Sequence, residues 1–145
     1  MPHAIIEALK RFNEPHDEEQ LRLLDEAVGA VDSKACGEKE FRALLGVFER
    51  FQEDDGYEVF WSIVHCLEAC TGYELTLIES VTRCPVEFNV LMINRLLNGG
   101  VVQINNQSLL SVLVSVSSNP TASAEVKRSA QLFVEYQQKR GRADA

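Results

Sequence analysis

The run Glu53–Gly100, EDDGYEVFWSIVHCLEACTGYELTLIESVTRCPVEFNVLMINRLLNGG, decides the fold. Its apolar residues recur at every third or fourth position, the period of an amphipathic helix, and not at every second. Val59, Phe60, Ile63, Val64 and Leu67 form one stripe; Phe88, Leu91, Met92 and Leu96 form another. Helix-start signals precede them. Asp55-Gly56-Tyr57-Glu58 and Thr71-Gly72-Tyr73-Glu74 each put an acceptor at the N-cap and a carboxylate at the third helical residue. Cys84-Pro85-Val86-Glu87 puts proline at the first helical position, where its missing N–H costs nothing. Asn98-Gly99-Gly100 supplies the left-handed residue that closes a helix.

The same period extends outward in both directions. Upstream, Ile5, Ile6, Leu9 and Phe12 make a first stripe. Leu21, Leu24, Val28 and Val31 make a second, with Asp17 and Gln20 as a capping pair, and Phe41, Leu44, Leu45, Phe48 and Phe51 a third. Downstream, Asn105 or Asn106 is expected to cap a helix through Leu109, Leu110, Leu113 and Val116, although Val112, Val114 and Val116 would also suit a buried strand. Asn119-Pro120 breaks the chain, and Ser123 caps a last helix carrying Val126, Ala130, Phe133 and Val134. Lys139–Ala145 reads as a frayed tail. The expectation is a single all-α domain, residues 1–145, of about eight helices. Short connections imply antiparallel pairs. Pairs spaced at roughly 30–40 residues suit a small irregular solenoid, with a globular helical bundle as the alternative.

Charge is distributed unevenly along this chain. Met1–Phe60 holds 15 acids and 7 bases, whereas Trp61–Ala145 holds 7 of each, so the front carries the whole formal net charge of -8. Between Asn89 and Ala124 the single charged residue is Arg95. An acidic front favours basic partners and repels nucleic acid and anionic lipid. The uncharged back has to be buried, and Leu109–Val116 reads as a core helix, with a homodimer seam as the alternative. No apolar run reaches the roughly 18 residues that a membrane span requires. Met1–Leu9 lacks the pattern of a signal peptide, so the four cysteines are expected to be free thiols in a reducing cytoplasm.

Catalytic and metal chemistry find little footing. Cys66, Cys70, His65 and Cys84 are enough soft ligands for zinc in number, but there is no tight C-x-x-C pair, and cysteine on an apolar stripe reads as a small core residue. No phosphate loop, G-x-S-x-G or H-E-x-x-H motif occurs. No metal, no cofactor and no enzymatic activity are expected. The carboxylate clusters Asp17-Glu18-Glu19, Asp25-Glu26 and Glu53-Asp54-Asp55 read first as solvated helix starts, where negative charge complements the helix dipole. A sharper reading makes Glu18, Glu19, Glu53, Asp54, Asp55, Tyr57, Glu58 and Trp61 a surface for a basic protein, with exposed aromatics as anchors for Lys or Arg. Arg95, if buried, needs a carboxylate partner, and Glu79 on the preceding helix is expected to form that structural ion pair.

Tyr57-Glu58-Val59-Phe60-Trp61-Ser62-Ile63-Val64-His65-Cys66-Leu67-Glu68, followed by Tyr73-Glu74, Leu77-Ile78-Glu79-Ser80, Cys84-Pro85 and Asn94-Arg95-Leu96-Leu97-Asn98, resembles the small all-helical immunity proteins of bacterial polymorphic-toxin and contact-dependent inhibition systems. Ser123–Ala130, with its Val-Lys-Arg-x-Ala core, is similar to the second helix of a HEAT-type repeat. The resemblance spans Tyr57–Gln138 and leaves the first fifty or so residues unmatched. It implies a HEAT-like fold and a cytoplasmic protein that neutralises a cognate toxin by binding it. Many such toxins are basic nucleases, which an acidic inhibitor could block as a phosphate mimic. The alternative is a helical-repeat scaffold or adaptor for another protein.

Overall fold

The computed structural model describes residues 2–52 and 56–141. Among these, the helices are α1 (Pro2–Arg11), α2 (Glu18–Gly29), α3 (Glu38–Arg50), α4 (Val59–Ala69), α5 (Glu74–Arg83), α6 (Glu87–Asn98), α7 (Leu109–Val116) and α8 (Ala124–Lys139), with a 3₁₀ turn at Gly56–Glu58. The one sheet is a two-residue hairpin, β1 (Gln103–Ile104) against β2 (Gln107–Ser108). The protein is therefore all-α, as its periodicity implies. The chain divides into two compact units, Met1–Thr76 and Leu77–Ala145.

In the first unit, sequential helices pair, α1 with α2 and α3 with α4. The pairs also meet helix for helix, α1 with α3 and α2 with α4. That is the pairing of one helical hairpin laid on another. Leu9, Leu24, Leu44, Leu45, Phe48, Phe60, Ile63 and Leu67 are buried, and they come from the stripes described above. An aromatic cluster joins three of the helices. Phe12 meets Phe51 edge-on at 5.2 Å between ring centroids and Phe60 at 6.4 Å, and Phe48 lies 5.7 Å from Phe60. Arg50, at the end of α3, closes the cluster. Its guanidinium donates to the carbonyls of Leu9 and Phe12 at 2.9 Å each and of Lys10 at 3.2 Å. It also stands 5.3 Å from the Phe51 ring centroid. The last carbonyls of a helix have no partner within it, so one cation on α3 supplies donors that α1 lacks.

In the second unit, α6, α7 and α8 pack against one another. Met92, Ile93, Leu97, Leu109, Leu113 and Ala130 make the core. Leu109, Val112, Leu113 and Val116 are all buried within a single chain, so the core reading of this segment holds and a homodimer seam is not needed to cover it. Gln137 is wholly buried on α8, where its side-chain amide donates to Asn94 Oδ1 and Asn98 Oδ1 at 2.8 Å each.

Several expected helix starts are displaced. Asp17 does cap α2, accepting from the Gln20 N–H at 3.0 Å, and Ser123 caps α8, accepting from Val126 at 3.1 Å. α5, however, begins at Glu74, so Thr71 is not its N-cap. α6 begins at Glu87 with Val86 as N-cap, so Pro85 precedes the helix, and Asn89 Oδ1 accepts the Val86 N–H at 2.8 Å. Asn105 and Asn106 cap nothing. Their φ values of 49° and 65° make them the two-residue hairpin turn, a conformation asparagine tolerates better than other side-chain-bearing residues. Ser108 caps α7 instead. The Gly99-Gly100 stop is as expected: Gly100 has φ 92°, and Val101 N–H returns to the Leu96 carbonyl at 3.0 Å. α8 runs through Lys139, and Arg140 donates to Asn98 at 2.9 Å, so the tail does not start at Lys139.

The free-thiol expectation is corrected for Cys36 and Cys70, which are joined as a disulfide; Cys66 and Cys84 are not disulfide-bonded. Sequence could not show that the segment before α3 meets the end of α4. The cross-link encloses a separation of 34 residues. Cys36→Ser is expected to cost about 3–4 kcal/mol in urea unfolding under oxidising conditions, a difference that reductant should erase. Arg50→Met is expected to cost about 1–3 kcal/mol in the same assay, with Arg50→Lys recovering only part, since one ammonium cannot span three carbonyls in the way a planar fork does.

Candidate functional site

α2 and α4 lie side by side in the first unit. Of the expected partner residues, Glu18 and Glu19 begin α2, Trp61 lies on α4, and Glu58 ends the 3₁₀ turn before it. Glu18, Leu21, Arg22 and Asp25 recur at helical spacing, so they share one face of α2. With His16 and Val59 they line a cleft of about 510 Å³ at the start of α4. Leu21 is its buried floor; Glu18, Arg22 and Asp25 are exposed. Neither Glu18 nor Asp25 has an ion pair among the described residues. The cleft is thus an open trough with two uncompensated carboxylates.

Arg22 is occupied along the surface of α2. It donates to Glu19 from its Nε at 3.1 Å and pairs with Glu26. The guanidinium hydrogen bond holds the Glu19 carboxyl below its usual pKa and raises that of Arg22. Glu19 is therefore neutralised locally. Of the neighbouring acids Glu18 and Glu19, only the first presents its charge to the cleft. Asp25 takes the place expected of Glu19; the sequence signal is its spacing of seven residues from Glu18, two helical turns along the same face.

On α4, Trp61, His65 and Glu68 share a face by the same rule. Glu58 and His65 are exposed, Trp61 and Glu68 half-buried. The rings of Trp61 and His65 sit 6.0 Å apart, so Trp61 is neither a core residue nor a bare surface anchor. Glu58 has φ 79°, a left-handed conformation rare for a residue with a side chain, and it serves as the N-cap of α4. Glu53, Asp54 and Asp55 lie outside the described residues, as does the Tyr57 side chain, although the Tyr57 backbone belongs to the 3₁₀ turn. In the second unit, Glu79 is exposed on α5 and Arg95 half-buried on α6. Arg95 therefore reaches water and is not the fully buried charge its apolar surroundings suggest.

No group of His, Cys, Asp and Glu suited to hold a metal ion occurs among the described residues. The Cys66 thiol is pushed up in pKa by burial, which keeps it protonated and poorly nucleophilic. No helix among the described residues is long and apolar enough to cross a membrane. Compared with protein-family models, with curated proteins and with solved structures, the chain matches none.

Gly56 sets the entry to α4. Its φ is 59°, and a Cβ there would collide with the buried Phe60 ring. Gly56→Ala is expected to destabilise by about 2–4 kcal/mol, combining left-handed strain with overpacking of a full aromatic cluster. Glu58→Gly is expected to be neutral or stabilising by up to about 1 kcal/mol, because it relieves the same kind of strain. Thermal unfolding followed by circular dichroism checks both.

Proposed function

We propose that the chain is an immunity protein that binds a cognate bacterial toxin domain stoichiometrically and neutralises it through the acidic face of α2 and α4. The observation that carries this reading is the cleft where the uncompensated Glu18 and Asp25 meet the start of α4. Paired carboxylates are suited to receive Lys or Arg. The resemblance over Tyr57–Gln138 suggests the class of partner, and the charge agrees with it. A basic nuclease fits best, since a groove that attracts phosphate also attracts carboxylates and would be reached by electrostatically steered association. In this reading the protein acts in the cytoplasm, by binding, without catalysis, metal or other cofactor. It does not bind nucleic acid, and Glu79 with Arg95 serves the fold.

A helical-repeat scaffold or adaptor is the second reading. It is favoured by the hairpin-on-hairpin pairing of α1–α4, an arrangement by which repeat proteins build protein-binding surfaces. Gene neighbourhood separates the two, because an immunity protein is encoded beside its toxin.

The direct experiment is co-expression with the adjacently encoded toxin, together with calorimetric titration. Protection of the cells and a salt-sensitive one-to-one complex are expected. Glu18→Lys with Asp25→Lys should weaken the complex tenfold or more, about 1.4 kcal/mol, at unchanged helicity, since both residues are exposed. No protection by the wild-type protein would overturn the immunity reading. Full affinity in the charge-reversed variant would overturn the choice of face.

A further inference from the structure

In the second unit, α8 packs against α6 and α7 and buries Val126, Ala130 and Gln137. The opposite side of the helix lies in water, yet it is not uniformly polar. Leu132 is 57% exposed and Tyr136 50%. Glu125, Arg128 and Lys139 are exposed on the same side. The five positions are spaced three, four, four and three residues apart, which keeps them all on one helix face. They form a seam about 21 Å long at the rise of an α-helix.

That spacing reads the same in both directions from Leu132. Two such helices laid antiparallel about a two-fold axis at Leu132 bring complementary residues together. Glu125 of each copy meets Lys139 of the other, Arg128 meets Tyr136, and Leu132 meets itself. These are an ion pair, a cation–π contact and an apolar contact, all attractive. Parallel pairing instead sets Glu125, Arg128 and Lys139 each against its own like charge. Glu125, Arg128 and Lys139 have no ion pair among the described residues, so their charges are available. Arg140 stands 5.3 Å from the Tyr136 ring centroid and takes one face of the ring, which leaves the other for Arg128 of the second copy. Glu135, which accepts from Gln131 at 3.3 Å, adjoins Tyr136 and sets a carboxylate beside the two guanidinium groups. A sequence that is self-complementary when reversed is what a two-fold contact between identical surfaces requires; an unrelated partner has no use for it. Overall charge agrees. Copies of this chain repel through the acids of Met1–Phe60, whereas α8 carries Lys127, Arg128 and Lys139 against Glu125 and Glu135.

We propose that the outer face of α8 joins two copies of this chain in an antiparallel two-fold dimer with Leu132 on the axis. A shallow crossing angle of about 20° keeps Glu125 and Lys139 of opposite copies within reach at both ends of the seam. The contact is one helix long and falls short of the roughly 800 Å² per partner of a standard interface, so the dimer is weak, with a dissociation constant of about 10–500 μM. It uses residues of the second unit alone and does not depend on what the chain binds through Glu18 and Asp25.

The test is sedimentation equilibrium of the full-length protein at concentrations up to about 1 mM, a few times the weakest dissociation constant expected. Leu132→Asp, Glu125→Lys, Lys139→Glu and the double variant Glu125→Lys with Lys139→Glu are compared with the wild type. The substituted positions are exposed, and circular dichroism verifies that each variant is folded. Leu132→Asp should weaken the dimer at least tenfold, and each single charge reversal about threefold or more. The double reversal should return the dimer to within about twofold of the wild type, because the two-fold axis pairs each reversed residue with the other. Oxidation of Leu132→Cys should give a covalent dimer above the wild-type background. Glu125→Cys should not, since its two copies stand about 21 Å apart along the antiparallel pair. The proposal is overturned if the wild type stays monomeric at 1 mM, or if Leu132→Asp leaves a dimer undiminished. It is equally overturned if the double reversal dimerises no better than the single ones, or if positions 125 and 132 cross-link alike.

Discussion

The first unit depends on the meeting of Phe12, Phe48, Phe51 and Phe60 under the guanidinium of Arg50. These rings come from the end of α1, from α3 and its exit, and from α4. Edge-on aromatic pairs contribute beyond their buried area and prefer particular angles, so they fix orientation as well as distance. Arg50 adds a polar constraint to the apolar one. By donating to the carbonyls of Leu9, Lys10 and Phe12, it ties the end of α1 to the end of α3. Burial lowers its pKa, yet an arginine stays charged at neutral pH. Gly56 follows from the same cluster: Phe60 occupies the space that a Cβ would need, so the chain must enter α4 through a residue without one.

That entry also orients the candidate site. α4 packs against α2, which brings Val59 to the cleft of Glu18 and Asp25 and turns the face of Trp61 and His65 outward. The acids of α2 do two kinds of work. Asp17 caps the helix, and Glu19 and Glu26 are balanced by Arg22. Glu18 and Asp25 remain with charge to offer another molecule. The acidity of the front half is thus partly a property of helix starts and surface ion pairs, and only the remainder bears on binding.

The helical class and most of the core were legible because burial of one helix face imposes a period that the residue pattern records. Leu9, Leu24, Phe48, Phe60 and Leu113 fall inside for that reason. Starts were less legible, because several residues near each start can act as a cap and only the path of the preceding chain selects among them. Thr71, as N-cap, and Pro85, as first helical residue, each lost to a residue two positions further on for this reason. Asn105-Asn106 signals a cap and a hairpin turn equally well, and the pairing of Gln103 with Ser108 decides for the turn. Glu18 was legible as a candidate and Asp25 as part of a cluster, but their sharing of a cleft with Val59 required the α2–α4 contact.

By itself, then, the sequence determined the helical period, the asymmetry of charge and the caps at Asp17 and Ser123, since each depends on neighbours within a turn or so along the chain. Tertiary structure decided what depends on residues far apart in sequence. The Cys36–Cys70 bond and the burial of Gln137 against Asn94 and Asn98 belong to this second kind. In each, the residue type alone suggests the opposite outcome. A thiol expected to be free is bonded, and a polar amide is buried. The physical reason is the same throughout: which groups a side chain meets is fixed by the packing of whole helices, and local pattern carries no record of the partner helix.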